Sequence, residues 1–175
     1  ISPEKLVNDG FLTPEQIADR PDFPTHKIDF GATYEWKNKV LPLAFEGLTH
    51  ITSVDLRGKF ETFLQENEWW LDDYALYKAI KISQSQKPWY EWPSPLKLRE
   101  ADAISEISKQ LFNEILAERF YQFLFFRQWM LLKEYANKHG IRIIGDIPIF
   151  VALDSADVWC NQDKFKLNDD GTPAV

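Results

Sequence analysis

Carboxylates are the groups in this sequence with the most evident chemical use, and Asp146 is set apart from the rest. It is the first charged group after the strand-like start of IRIIGDIPIFVALDSADVW (141–159), where Ile141, Ile143 and Ile144 precede it and Pro148 follows. A near-continuous apolar run after a glycine-closed helix reads as a buried parallel strand. Strand ends in α/β folds collect ligand-facing residues. An unpaired buried carboxylate would cost several kcal/mol, so Asp146 needs a partner. Two readings stay open on spacing alone: a structural carboxylate held by backbone or an arginine, or the floor of a cleft. One Asp does not cleave a glycosidic bond, which usually takes two carboxylates roughly 5–9.5 Å apart. Asp72 and Asp73 are adjacent, but neighbours on a helix diverge by about 100° and do not face one substrate.

Other reactive types are weaker candidates. His26, His50 and His139 are far apart, and no HExxH, GxSxG, P-loop or GxGxxG pattern occurs. Cys160 is the single cysteine and has no evident histidine partner, so it reads as an inert thiol. Asp163, Asn168, Asp169, Asp170 and Gly171 miss the calcium-loop spacing and read as a polar turn. No metal or cofactor is expected. Flat aromatic faces suit sugar rings. Those at helical spacing, Trp69 and Trp70 among them, default to core. Trp89, Tyr90 and Trp92 in a loop, and Trp159 beyond the strand, are the better ligand candidates.

The elements that would position these residues are mostly helical. Ser2-Pro3-Glu4 starts a first helix that Gly10 stops, and Thr13-Pro14-Glu15-Gln16 starts a second, ending near Arg20. The segment PDFPTHKIDFG should run extended. Helix follows over 32–47, with a kink or break at Pro42, and again over 54–65. Asn67 caps the next helix, which reaches Ile82; SQSQKPWYEWPSPL is an irregular loop whose WYEW cluster packs down or covers a groove. The longest helix spans 101–139 and ends at Lys138-His139-Gly140. Helix, tight turn and strand make half of a βαβ unit, so the class is α/β with a large helical insertion.

A length of 175 residues suits one domain, and 45% hydrophobic residues exclude disorder. A net charge of −7 without a basic patch argues against nucleic acid. No apolar run reaches the roughly 18–20 residues that cross a membrane, and ISPEKLVNDG is no signal peptide. Starting at Ile1 and ending in GTPAV, the chain reads as cut at both ends.

The stretch GDIPIFVALDSADVW closely resembles the 4-α-glucanotransferases known as amylomaltases or disproportionating enzymes. The likeness continues through KFKLNDDGTPAV, FFRQWMLLKEYANKHGIRIIGD, PWYEWPSPLKLRE and WWLDDYALYKAI, and more loosely through VNDGFLTPEQIADRPDFPTHKIDFGATYEWK (7–37). It implies part of a (β/α)₈ barrel with helical insertions, with 1–175 a single partial catalytic domain. Within it, 1–139 would be insertion and barrel helix, and 140–175 a barrel strand and active-site loop. It also implies transfer of a 1,4-α-glucan segment to the 4-hydroxyl of another glucan or glucose, with retention by double displacement and no cofactor. Asp146 then matches a floor residue of the sugar site, not the nucleophile, and Ser155 and Trp159 join it as substrate-binding positions. The three catalytic carboxylates of the family would lie beyond Val175, so no catalytic residue is assigned here. Cys160 stands where alanine is commoner. The expected partners are α-1,4-glucans and the compartment is cytoplasm or plastid stroma. The alternative is a non-catalytic glucan-binding or interaction module.

Overall fold

A computed structural model describes residues 1–50 and 53–174 of the chain. Helices α1 (Pro3–Asn8), α2 (Phe30–His50), α3 (Val54–Ser83), α4 (Ser94–Lys97), α5 (Ala101–Gln110), α6 (Phe112–Lys138) and α7 (Ala156–Cys160) carry the fold. Short 3₁₀ turns lie at Glu15–Ile17, Trp89–Glu91 and Gln162–Lys164. The chain forms two compact units, one of Ile1–Phe63 with Phe120–Gly140, the other of Leu64–Arg119 with Ile141–Val175.

The first unit begins as the sequence directs. Ser2 caps α1, its Oγ accepting from Lys5 N, Pro3 opens the first turn, and Gly10 takes the left-handed turn with φ 81°. Thr13 and Gln16 form a reciprocal capping box: Thr13 N donates to Gln16 Oε1 at 2.8 Å and Gln16 N to Thr13 Oγ1 at 3.4 Å. The core is a knot of phenylalanines around Phe120, with Phe11, Phe45 and Phe60 at centroid distances of 5.1, 6.0 and 5.7 Å. Arg127 clamps Asp9 with both terminal nitrogens, one at 2.8 Å. Helix α2 approaches so closely that a Cβ on Gly47 would lie 2.1 Å from the carbonyl oxygen of Phe11.

The second unit is built on aromatics. Tyr77, Trp89, Trp92 and Trp159 are buried together with Ile80, Ile115 and Val158. Trp92 and Trp159 meet edge to face at 5.4 Å, and each lies within 6 Å of Tyr77. The WYEW cluster therefore packs down, and its irregular backbone is tied by indole donors: Trp89 Nε1 to Leu153 O at 2.7 Å and Trp92 Nε1 to Lys87 O at 3.0 Å.

Several expectations are corrected. Residues 54–65 and 67–82 form one helix, α3, because no glycine or proline separates them. Asn67 is no cap; its Oδ1 accepts from Trp70 Nε1 at 3.0 Å. The helix expected over 101–139 is interrupted at Leu111, which leaves helical geometry at φ −102°, ψ 25° between α5 and α6. Pro42 lies inside α2 without ending it. The largest change concerns 141–150. These residues are irregular, with bends at Ile149 and Phe150, and join no β-ladder; Ile144, Ile147, Ile149 and Phe150 are 83–92% exposed. A buried parallel strand needs a neighbour on each side and helices over its faces. The described residues supply an isolated antiparallel bridge, Leu167 to Pro173, and no strand.

Candidate functional site

Asp146 sits in the middle of this uncovered segment, its Oδ1 accepting from Ile147 N at 2.9 Å. It is exposed, so the burial that would have forced a partner on it is absent. The other carboxylates that spacing raised are engaged with cations. Asp72 pairs with Arg119 at 2.9 Å and Asp73 with Arg99 at 2.7 Å. The two neighbours thus diverge, as helical geometry requires, each toward its own arginine.

Ser155 and Trp159 are placed by α7. Ser155 caps it in an extended conformation, φ −143°, with its Oγ accepting from Val158 N at 3.3 Å. Trp159 is wholly buried, and its Nε1 donates to Leu96 O at 3.0 Å. Its ring faces Tyr77, Trp92 and the guanidinium of Arg99, 4.3 Å from the centroid. Both faces are taken by protein, so the expected direct stacking of Trp159 on a sugar is corrected to a core role. Trp89 and Trp92 are buried likewise, and Tyr90 is half-buried. The reversal extends to Trp69, which helical spacing assigned to the core and which is 83% exposed. Loop position told little about exposure here, because an irregular loop of indoles can bury more apolar area than a helix face already crowded by its neighbours.

Spacing also missed the group that holds the loop in front of α7. Asp154 accepts from Tyr77 Oη at 2.6 Å, Lys81 Nζ at 2.5 Å and Trp89 N at 3.3 Å. Partial burial raises its carboxyl, but the hydrogen bonds from Lys81 and Tyr77 outweigh that and hold it below the ordinary carboxylate range. Burial and then the bond to Asp154 push the Tyr77 phenol upward. A signal was available: Tyr77 and Lys81 are one helical turn apart and present two donors on one face.

Cys160 is half-buried, and burial raises its thiol to about 12, with the charges of Asp73 and Asp157 adding to the rise and Arg99 opposing it. Such a thiol is protonated at neutral pH and a poor nucleophile. Among the described residues no group of three or more His, Cys, Asp or Glu side chains gathers to hold a metal ion. No described helix is long and apolar enough to cross a membrane.

A family model described as 4-alpha-glucanotransferase matches residues 1–174. The 4-alpha-glucanotransferase of Thermus thermophilus is 45% identical over 155 residues, covering 89% of this chain and 31% of that protein. The enzyme of the same name from Synechocystis is 38% identical over 168 residues, with coverage of 96% and 33%. The chloroplastic/amyloplastic one of Solanum tuberosum is 37% identical over 179 residues, with coverage of 100% and 30%. Among solved structures, the amylomaltase from Streptococcus agalactiae in complex with acarbose superposes with a TM-score of 0.87 at 32% identity, covering 98% of this chain and 34% of its own. The chain thus spans about a third of the length of the curated relatives it matches.

Proposed function

The chain belongs to the 4-alpha-glucanotransferase family, and from that premise we propose that it builds part of the glucan site of an enzyme moving a 1,4-α-glucan segment to the 4-hydroxyl of an acceptor. The reaction class is retaining double displacement, which needs one carboxylate as nucleophile and another as acid/base. In this reading residues 140–175 are a strand and active-site loop of a (β/α)₈ barrel, and 1–139 are its helical insertion and a barrel helix.

The observation that carries the reading is the state of 141–150. A segment outside any helix, with Ile144, Ile147 and Ile149 exposed and one carboxylate at its centre, leaves its apolar side chains and backbone open to the pairing and covering that a parallel barrel strand receives. Asp146 is the substrate-binding residue of this set, accepting from sugar hydroxyls at the strand end. Ser155 and Trp159 act on the glucan through α7, which one caps and the other anchors. Asp72, Asp73 and Asp154 hold structure through their cations and are assigned no catalytic part.

Replacing Asp146 by Ala in the natural full-length protein tests this. Loss of hydrogen bonds to a charged group is worth about 1.5–3 kcal/mol, so glucose release from maltotriose should fall roughly ten- to a hundredfold with the circular dichroism unchanged. An unchanged rate would return Asp146 to a structural role. The 175-residue chain alone should release no glucose; release would show that the catalytic pair is within it.

A further inference from the structure

The proposed chemistry leaves unused a groove in the second unit, with a volume of about 400 Å³. That lies within the roughly 300–1,000 Å³ of small-molecule sites. On one side α3 presents the exposed ring of Trp69 beside Trp70 and Tyr74. On the other, α7 and the turn after it present Asp157, Asn161 and Lys164. Asn161 is held in place by both ends of its amide, Nδ2 donating to Asp157 O at 3.0 Å and Oδ1 accepting from Lys164 Nζ at 2.6 Å.

The groove is fixed from beneath by Arg99. Its Nη2 donates to Asp73 Oδ1 at 2.7 Å and its Nη1 to Cys160 Sγ at 2.9 Å, while its plane lies over Trp159. Arg99 has φ 55°, a left-handed value that a non-glycine residue keeps only where its surroundings determine it. Two lining residues, Asp73 and Cys160, are thus joined through one guanidinium. An exposed indole facing fixed polar groups suits a ligand with a flat apolar face and a rim of hydroxyls. The lining charges are of both signs, which favours a neutral ligand over an anion or a cation.

We propose that this groove binds an α-1,4-glucan, one sugar ring stacking on Trp69 and its hydroxyls meeting Asp157, Asn161 and Lys164. The choice of sugar rests on the glucan-transfer reading above; the stacking geometry stands on the groove itself.

The test uses the natural full-length protein labelled with 5-fluorotryptophan, the Trp69 resonance being assigned by its loss in Trp69→Phe. Titration with maltoheptaose should shift that resonance saturably, and cellohexaose should not. In Trp69→Ala, the midpoint read from Trp70 should move to a roughly three- to tenfold higher concentration, the value of one aromatic contact. A Trp69 resonance that stays fixed at maltoheptaose concentrations saturating transfer would overturn the proposal, as would an equal shift with cellohexaose. Glucose release from maltotriose, measured on the same sample, separates the two claims. A protein that shifts Trp69 and releases no glucose keeps the groove and loses the transfer reading. One that releases glucose with Trp69 unmoved does the reverse.

Discussion

Lys81 and Tyr77 stand one turn apart on α3 and both donate to Asp154. Hydrogen bonds to a charged group are worth about 1.5–3 kcal/mol, so Asp154→Asn should lower unfolding free energy by about 2 kcal/mol in urea titrations at pH 7. The sign of its pH dependence follows from the direction of the shift. The folded carboxyl lies below its ordinary value of 3.8, so the unfolded chain takes up this proton first as pH falls. The contribution is complete above that value and is lost as pH drops through the folded pKa. The gap between wild type and Asp154→Asn should therefore narrow below pH 4; a gap constant down to pH 2 would mean that the carboxylate charge contributes nothing.

At the level of elements, two glycines in neighbouring helices make opposite demands. Gly47 in α2 lies where a Cβ would strike the Phe11 backbone at 2.1 Å, whereas Gly58 in α3 has nothing within 4 Å. Gly47→Ala should destabilise by roughly 1–3 kcal/mol, since backbone cannot rotate away as a side chain can. Gly58→Ala should stabilise by about 0.5–1 kcal/mol through helix propensity alone. Thermal melts of the pair check both signs together. The contrast also marks what the residue string conveys. Ser2, Pro3 and Gly10 announce the ends of α1 by their own chemistry, and Thr13 with Gln16 announce a cap. Nothing local in Gly47 or Gly58 announces which one is pressed against another segment. The break at Leu111 falls where no glycine or proline announces it, and the helix runs on through Asn67 because a polar residue that can cap a helix can also sit inside one.

On the scale of the whole molecule, the same divide separates what was legible in the candidate site from what was not. The residues of GDIPIFVALDSADVW identify the family, which the matches over nearly the entire chain support. Their exposure could not be read from them, since a run of isoleucines looks the same whether its neighbours are present or not. Trp159 was recognisable as important and misread in role, because an indole in a loop is buried or bare according to what folds over it. If 141–150 completes a barrel in the natural full-length protein, its amides should be protected from hydrogen exchange there and exchange within seconds in the 175-residue chain. Equal, rapid exchange in both would rule out strand pairing. The aromatic core of the second unit has one more use. Trp92 and Trp159 hold their rings at 5.4 Å and 70°, close and skewed enough for their electronic transitions to couple. The chain thus carries an optical reporter of its own, a coupled-indole signature that is kept only while the aromatic core of the second unit stays packed.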